Sequence, residues 1–141
     1  MATNMVMSDV ESMRYVAVVP TGTAPGTALL AGDVPVVTIT GSGDYAGNAI
    51  TMTANGVTTT LAGGRGGVGL ADLQATVSPT GAYAFDVTGA TAGTVTEGVT
   101  LVYITAGGVL TLTALDNTRF GVAELFRGEL SATDTVVRIG V

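Results

Sequence analysis

The sequence predicts an all-β protein: a compact sandwich or small barrel of about ten short strands, preceded by an extended N-terminal arm. Three observations predict it. Threonine occupies 24 of 141 positions and glycine 21. Short Val/Ile/Leu/Thr runs are separated by Gly, Pro, Asn or Asp almost from end to end, the punctuation of strands and turns. No stretch sustains the apolar period of a convincing helix.

Residues 1–13 carry four of the five methionines and no clean period, which predicts an arm ordered only when something binds it. Residues 14–141 then form a single β domain. Arg14 to Val19 is a β run, and Pro20 to Gly26 is loop, because Pro and Gly interrupt a ladder. Thr27 to Ala31 resumes as a strand closed by Gly32-Asp33, and Val36 to Thr40 follows, rich in β-branched residues. Gly41 to Asn48 is loop.

The sharpest local signal comes next. Ile50-Thr51-Met52-Thr53-Ala54 alternates apolar and polar residues, Asn55-Gly56 follows, and Val57-Thr58-Thr59-Thr60-Leu61 continues the strand pattern. Asn-Gly between two such runs is the strongest short-range hairpin signal, since both turn residues must take positive φ.

Gly63 to Gly67 is a glycine loop around Arg65, and Val68 to Leu73 reads as a strand in preference to one short helical turn. Ser78-Pro79-Thr80-Gly81 is a turn. Tyr83, Phe85 and Val87 line one face of the following strand, with Ala84 and Asp86 on the other. Gly89 to Thr96 is loop. Val99 to Ile104 is apolar on both faces and reads as a central strand. Val109 to Thr113, Arg119 to Leu125 and Val136 to Val141 complete the set. Tyr83, Phe85, Tyr103 and Phe120 are expected in the core.

The residue inventory narrows the chemistry. The chain has no His, Cys, Lys or Trp. General bases are most often His, and activated nucleophiles are often Cys or Lys. The expectation is a protein that is not an enzyme and carries no cofactor. Without His or Cys, a zinc site is close to excluded, and no Asp-x-Asp-x-Asp-Gly calcium loop occurs. Gly63-Gly64-Arg65-Gly66-Gly67-Val68-Gly69 lacks the Lys-Ser/Thr of a phosphate loop and reads as a mobile loop or one docked on a partner through Arg65. The carboxylates Asp33, Asp44, Asp72, Asp86, Glu97, Asp116, Glu124, Glu129 and Asp134 are scattered and read as solvated loop charges.

Five dispersed arginines against eleven acids give a net charge of −6, with no positive footprint for nucleic acid. No run approaches the ~20 apolar residues of a membrane-spanning helix. Charged residues make up only 11% and apolar residues 47% of the chain, a poorly charged surface for a monomer and one suited to coverage by partners. The candidate contact residues are Met1, Met5, Met7 and Met13, as adaptable apolar anchors, together with Arg14 and Arg65.

The order of segments resembles the small tailed-phage capsid decoration (cement) proteins. The resemblance rests on Val19-Pro20-Thr21-Gly22 through Pro25-Gly26, on Leu29-Leu30-Ala31-Gly32 and on Gly67-Val68-Gly69-Leu70-Ala71. It continues through Tyr83-Ala84-Phe85-Asp86-Val87 ahead of Glu97-Gly98-Val99-Thr100-Leu101-Val102-Tyr103-Ile104. Last come Leu110-Thr111-Leu112-Thr113-Ala114, Asn117 to Ala123, and Val136-Val137-Arg138-Ile139. It spans most of the chain beyond residue 14 and is best from 81 to 141; residues 1–13 have no counterpart. The resemblance implies a β-structured homotrimer on the outer surface of an icosahedral virion. It would sit at three-fold or quasi-three-fold points and bind the major capsid protein, bridging subunits of the expanded shell. Many weak contacts would sum there through multivalency. Two other readings stand beside it: a phage tail or adhesion module that stacks carbohydrate on aromatic side chains, and an enzyme with an all-carboxylate site.

Overall fold

The computed structural model describes residues 5–7, 14–43, 50–61 and 73–140. The fold is all-β. Twelve strands are described: β1 (Met5–Met7), β2 (Tyr15–Val18), β3 (Ala28–Ala31), β4 (Val34–Thr38), β5 (Ile50–Ala54), β6 (Val57–Leu61), β7 (Gln74–Ser78), β8 (Gly81–Asp86), β9 (Leu101–Ile104), β10 (Leu110–Thr111), β11 (Thr118–Phe126) and β12 (Asp134–Ile139). They form a six-stranded sheet, β1-β8-β12-β11-β9-β10, a four-stranded sheet, β2-β7-β4-β3, and a separate two-stranded sheet, β5-β6. Every strand pairing is antiparallel.

The two larger sheets close on one core. From the four-stranded sheet Ala28, Val37 and Ile39 meet Tyr83, Val102, Phe120, Val137 and Ile139 of the six-stranded sheet. A second buried cluster, Ala17, Val19, Val36, Ala75 and Val77, includes Val36, whose neighbour Val37 belongs to the first. Successive strand residues point to opposite faces, so the four-stranded sheet is apolar on both sides. Aliphatic burial of this kind, at roughly 25 cal/mol per Å², is the main stabilising term. The aromatic residues add geometry: Phe85 stands edge-on to Phe120 with ring centroids 6.0 Å apart.

The chain crosses from one sheet to the other at the corner between β7 and β8. There the Tyr83 hydroxyl donates to the Thr80 carbonyl at 2.8 Å, which lets a fully buried ring satisfy its polar atom. On the other side of the four-stranded sheet, the buried Thr38 hydroxyl donates to the Ala24 carbonyl at 2.7 Å and accepts the Thr27 amide at 2.8 Å. That ties the 20–27 loop onto β4.

Strand β11 carries two register shifts, one between Arg119 and Gly121 against β9, the other between Ala123 and Leu125 against β12. Each leaves one unopposed residue, the geometry of a β-bulge. The first puts Phe120 into the core. The second resets the alternation, so that Leu125 lies on the outer face while Phe126 packs against the core. Gly121 has no alternative here: a Cβ would strike the Arg138 carbonyl and lie 3.0 Å from Val137 Cγ1.

Several sequence expectations shift. Strand β4 starts at Val34, two residues before the predicted Val36, in spite of Pro35. The proline is tolerated because β7 pairs with β4 only at Val37 and Thr38, which leaves Pro35 opposite Leu30 of β3 alone. Strand β7, at Gln74–Ser78, was not anticipated. The predicted central strand at 99–104 is instead β9, starting at Leu101 and lying next to the edge strand β10; β11 and β12 occupy the middle. Tyr103 accordingly lies half-buried, paired with Arg119 on the face away from Val102, and is not a core residue. The expected strand at Val68 to Leu73 falls outside the described residues except for Leu73, an exposed turn residue.

Candidate functional site

The hairpin β5-β6 follows directly from its turn. Asn55 (φ 53°) and Gly56 (φ 76°) are both left-handed, as a two-residue type I′ turn requires. Residues 53–59 are all exposed. The Thr53 and Thr58 hydroxyls hydrogen-bond across the ribbon at 2.9 Å. Among the described residues neither β5 nor β6 pairs with any other strand. In a hairpin closed by a two-residue turn, Ala54 and Val57 share hydrogen bonds with one another, and alternation then turns the backbone groups of Thr51 and Thr53, and of Thr58 and Thr60, outward. Both edges are thus without a strand partner among the described residues, and no residue from 50 to 61 is charged.

A polar cluster lies in the β11–β12 connection. Asp86, at the end of β8, accepts hydrogen bonds from the hydroxyls of Ser131 and of Thr133, the latter at 2.9 Å. These hold its carboxyl below the ordinary value of 3.8, the Ser131 bond first and the Thr133 bond second. Opposite Asp86 in register stands Asp134. It is buried, 3.4 Å from Arg127 Nε, and accepts the Leu130 amide at 3.4 Å. Arg127 also reaches Glu129 at 3.4 Å, and its own amide bonds the Asp134 carbonyl at 2.9 Å. The arrangement clasps a loop. A carboxylate held ionised by two hydroxyls is a weak base, so Asp86 is poorly suited to activate Ser131 as a nucleophile.

The outer face of the six-stranded sheet carries a third feature. Register sets Ala84, Val136 and Leu125 in one row and Ala82, Arg138, Val122 and Leu101 in the next. Arg138 pairs with Glu124, the bulged residue. Leu101 and Leu125 remain exposed. Elsewhere aliphatic side chains stand almost free in solvent: Val18 at 77%, Leu115 at 77% and Leu130 at 78% exposure.

The residues expected to make contacts are not gathered into one place. Met5 and Met7 lie in β1, paired with Tyr83 and Ala82 of β8 on the edge of the six-stranded sheet. That portion of the arm is therefore joined to the sheet, where the sequence suggested order only on a partner. Arg14, half-buried, precedes β2 in the other sheet. Met1, Met13 and Arg65 lie outside the described residues. The clasp around Asp86 was missed because the hydrogen bond from Ser131 joins positions 45 residues apart, and nothing local marks that pairing. The open edges of the hairpin did have a signal, its uncharged run from 50 to 61.

Among the described residues no group of three or more Asp or Glu could hold a metal ion, and no helix is long and apolar enough to cross a membrane. Comparison with protein-family models, with curated proteins and with solved structures finds no match.

Proposed function

We propose that this chain is a structural assembly protein that works by self-association and by bridging neighbouring subunits, as a capsid decoration protein does. The observation that carries the reading is the exposure of Val18, Leu115 and Leu130, each more than three-quarters open to solvent, on a chain with only 11% charged residues. Scattered exposed aliphatics are ordinary. Their combination with a weakly charged surface and two hairpin edges that lack a strand partner among the described residues is a surface suited to cover by other chains.

The all-β sandwich supports the reading as a rigid body that can transmit load between contacts. The polar residues that the fold brings together, Asp86 with Ser131 and Asp134 with Arg127, are tied to one another, which fits a mechanical role better than a catalytic one. The resemblance to the tailed-phage decoration family supplies the partner: the major capsid protein, met on the outside of the shell by a homotrimer of this chain.

Sedimentation with capsid shells tests the reading. Purified chain mixed with expanded shells of the major capsid protein should pellet with them at a saturating, fixed ratio, and should pellet less with unexpanded shells. A chain that stays in the supernatant with both, and that has the mass of one copy, contradicts it.

A further inference from the structure

We infer that β5-β6 is the self-association element, and that three copies of it close into a six-stranded antiparallel ring in which each β6 pairs with the β5 of the next copy. The inference rests on the self-association reading above and deepens it by naming the segment and the pairing. It starts from the backbone. Thr51 and Thr53 on one edge, Thr58 and Thr60 on the other, turn their amide and carbonyl groups away from the hairpin. An isolated two-stranded hairpin is marginal in water and gains stability from further strands.

Natural edge strands discourage pairing with charges, especially Lys, with Pro or with bulges. This hairpin has none of the three: residues 50–61 contain no charge and no proline, and the pairing of β5 with β6 runs through five consecutive positions without a register shift. The occupant of such an edge is best another uncharged, β-branched strand, and the opposite edge of the same hairpin is one. Strands β5 and β6 run antiparallel, so hairpins arranged side by side around a three-fold axis present β6 to the neighbour's β5 in antiparallel sense.

The ring leaves no edge open. A two-fold pair joined through β6 alone would leave both β5 edges unsatisfied, which is the physical reason to prefer the cyclic, head-to-tail arrangement. The side chains fit closure. Thr53 and Thr58 share one face, and Ala54 and Val57, a small apolar pair, share the other. Val57 is 65% exposed in the single chain and would be covered in the ring.

Paired charge variants of the full chain test this, read by molar mass in solution. The unsubstituted chain should have the mass of three copies. Thr53→Lys with Thr58→Lys places like charges on both facing edges and should lower the mass threefold, with the thermal transition of the sandwich retained. Thr53→Glu with Thr58→Lys places opposite charges on the edges that meet in the ring, and should keep the mass of three. That variant still opposes Lys to Lys in a β6–β6 two-fold pair, so loss of assembly in it overturns the ring. A mass of three that survives the double lysine variant also overturns the hairpin assignment and leaves the decoration reading standing. A single-copy mass for the unsubstituted chain overturns both.

Discussion

The sandwich and the β5-β6 hairpin are written in the same alphabet, Val and Thr with glycine at the turns, and they meet opposite fates. In the sandwich each sheet finds an apolar partner within the chain, and Val36, Val37, Val77, Val102 and Val137 are wholly buried. In the hairpin residues 53–59 are exposed, and both edges lack a strand partner among the described residues. Identical local propensities thus give a closed unit in one region and an open one in the other. What separates them is where the second layer comes from: the chain supplies it for the sandwich, and on the proposal above another copy would supply it for the hairpin.

If that division is right, substitutions in the sandwich act on folding and substitutions in the hairpin act on assembly. The largest effect is expected at Phe120, the bulged residue set into the core. Phe120→Ala should cost about 3–5 kcal/mol, read by chemical denaturation. Gly121→Ala comes next. Its new methyl meets the Arg138 carbonyl in the middle of the sheet, and a cost of about 1–3 kcal/mol is expected from the forced separation of β11 and β12. Tyr83→Phe removes only the bond to the Thr80 carbonyl and should lower stability by about 1 kcal/mol while leaving the ring packing unchanged. A loss above that of Phe120→Ala would show that the inter-sheet corner, not the core, governs stability.

The hairpin should behave in the reverse way. Thr58→Lys touches no core residue and should change the sandwich transition by less than about 0.5 kcal/mol while weakening self-association. A hairpin substitution that lowered the melting temperature of the isolated chain as much as Gly121→Ala would erase the contrast between the two regions.

The smallest effect is a pH dependence confined to the acid range. Asp86 has its folded value lowered by the Ser131 and Thr133 hydroxyls. The sign follows from linkage: stability from these bonds is complete above the unfolded carboxylate value and declines as the pH falls through the lowered folded one. Asp86 is exposed, so solvent screens the interaction and the amplitude is modest. Asp86→Asn should flatten that part of the melting-temperature profile below about pH 4 and change nothing at neutral pH beyond a small constant offset. An unchanged acid profile in Asp86→Asn would show that the hydroxyl bonds contribute nothing to folding.

Much of the fold was legible in the sequence because its signals are local. Asn55-Gly56 fixes a turn by itself, and Tyr83, Phe85 and Val87 declare a face by alternation. Strand β7 escaped notice because Gln74 to Val77 offers a single period of alternation before the Pro79 turn. Strand β9 was placed too centrally because Val99 and Leu101 read as buried, whereas Val99 sits in an exposed turn and Leu101 looks outward. Those errors share a cause: burial depends on which strand lies alongside, and pairing partners such as Asp86 and Asp134 are far apart in the chain. The hairpin's edges were legible as an uncharged run, yet their openness is a property of the whole arrangement of sheets and could only be seen in three dimensions.

Residue-resolved hydrogen exchange over a dilution series tests the division most directly. The account predicts that the outward amides of Thr51, Thr53, Thr58 and Thr60 are protected at high concentration and lose protection on dilution, while the amides of β12 stay protected throughout. Exchange at these four threonines that is equally fast at every concentration would contradict it.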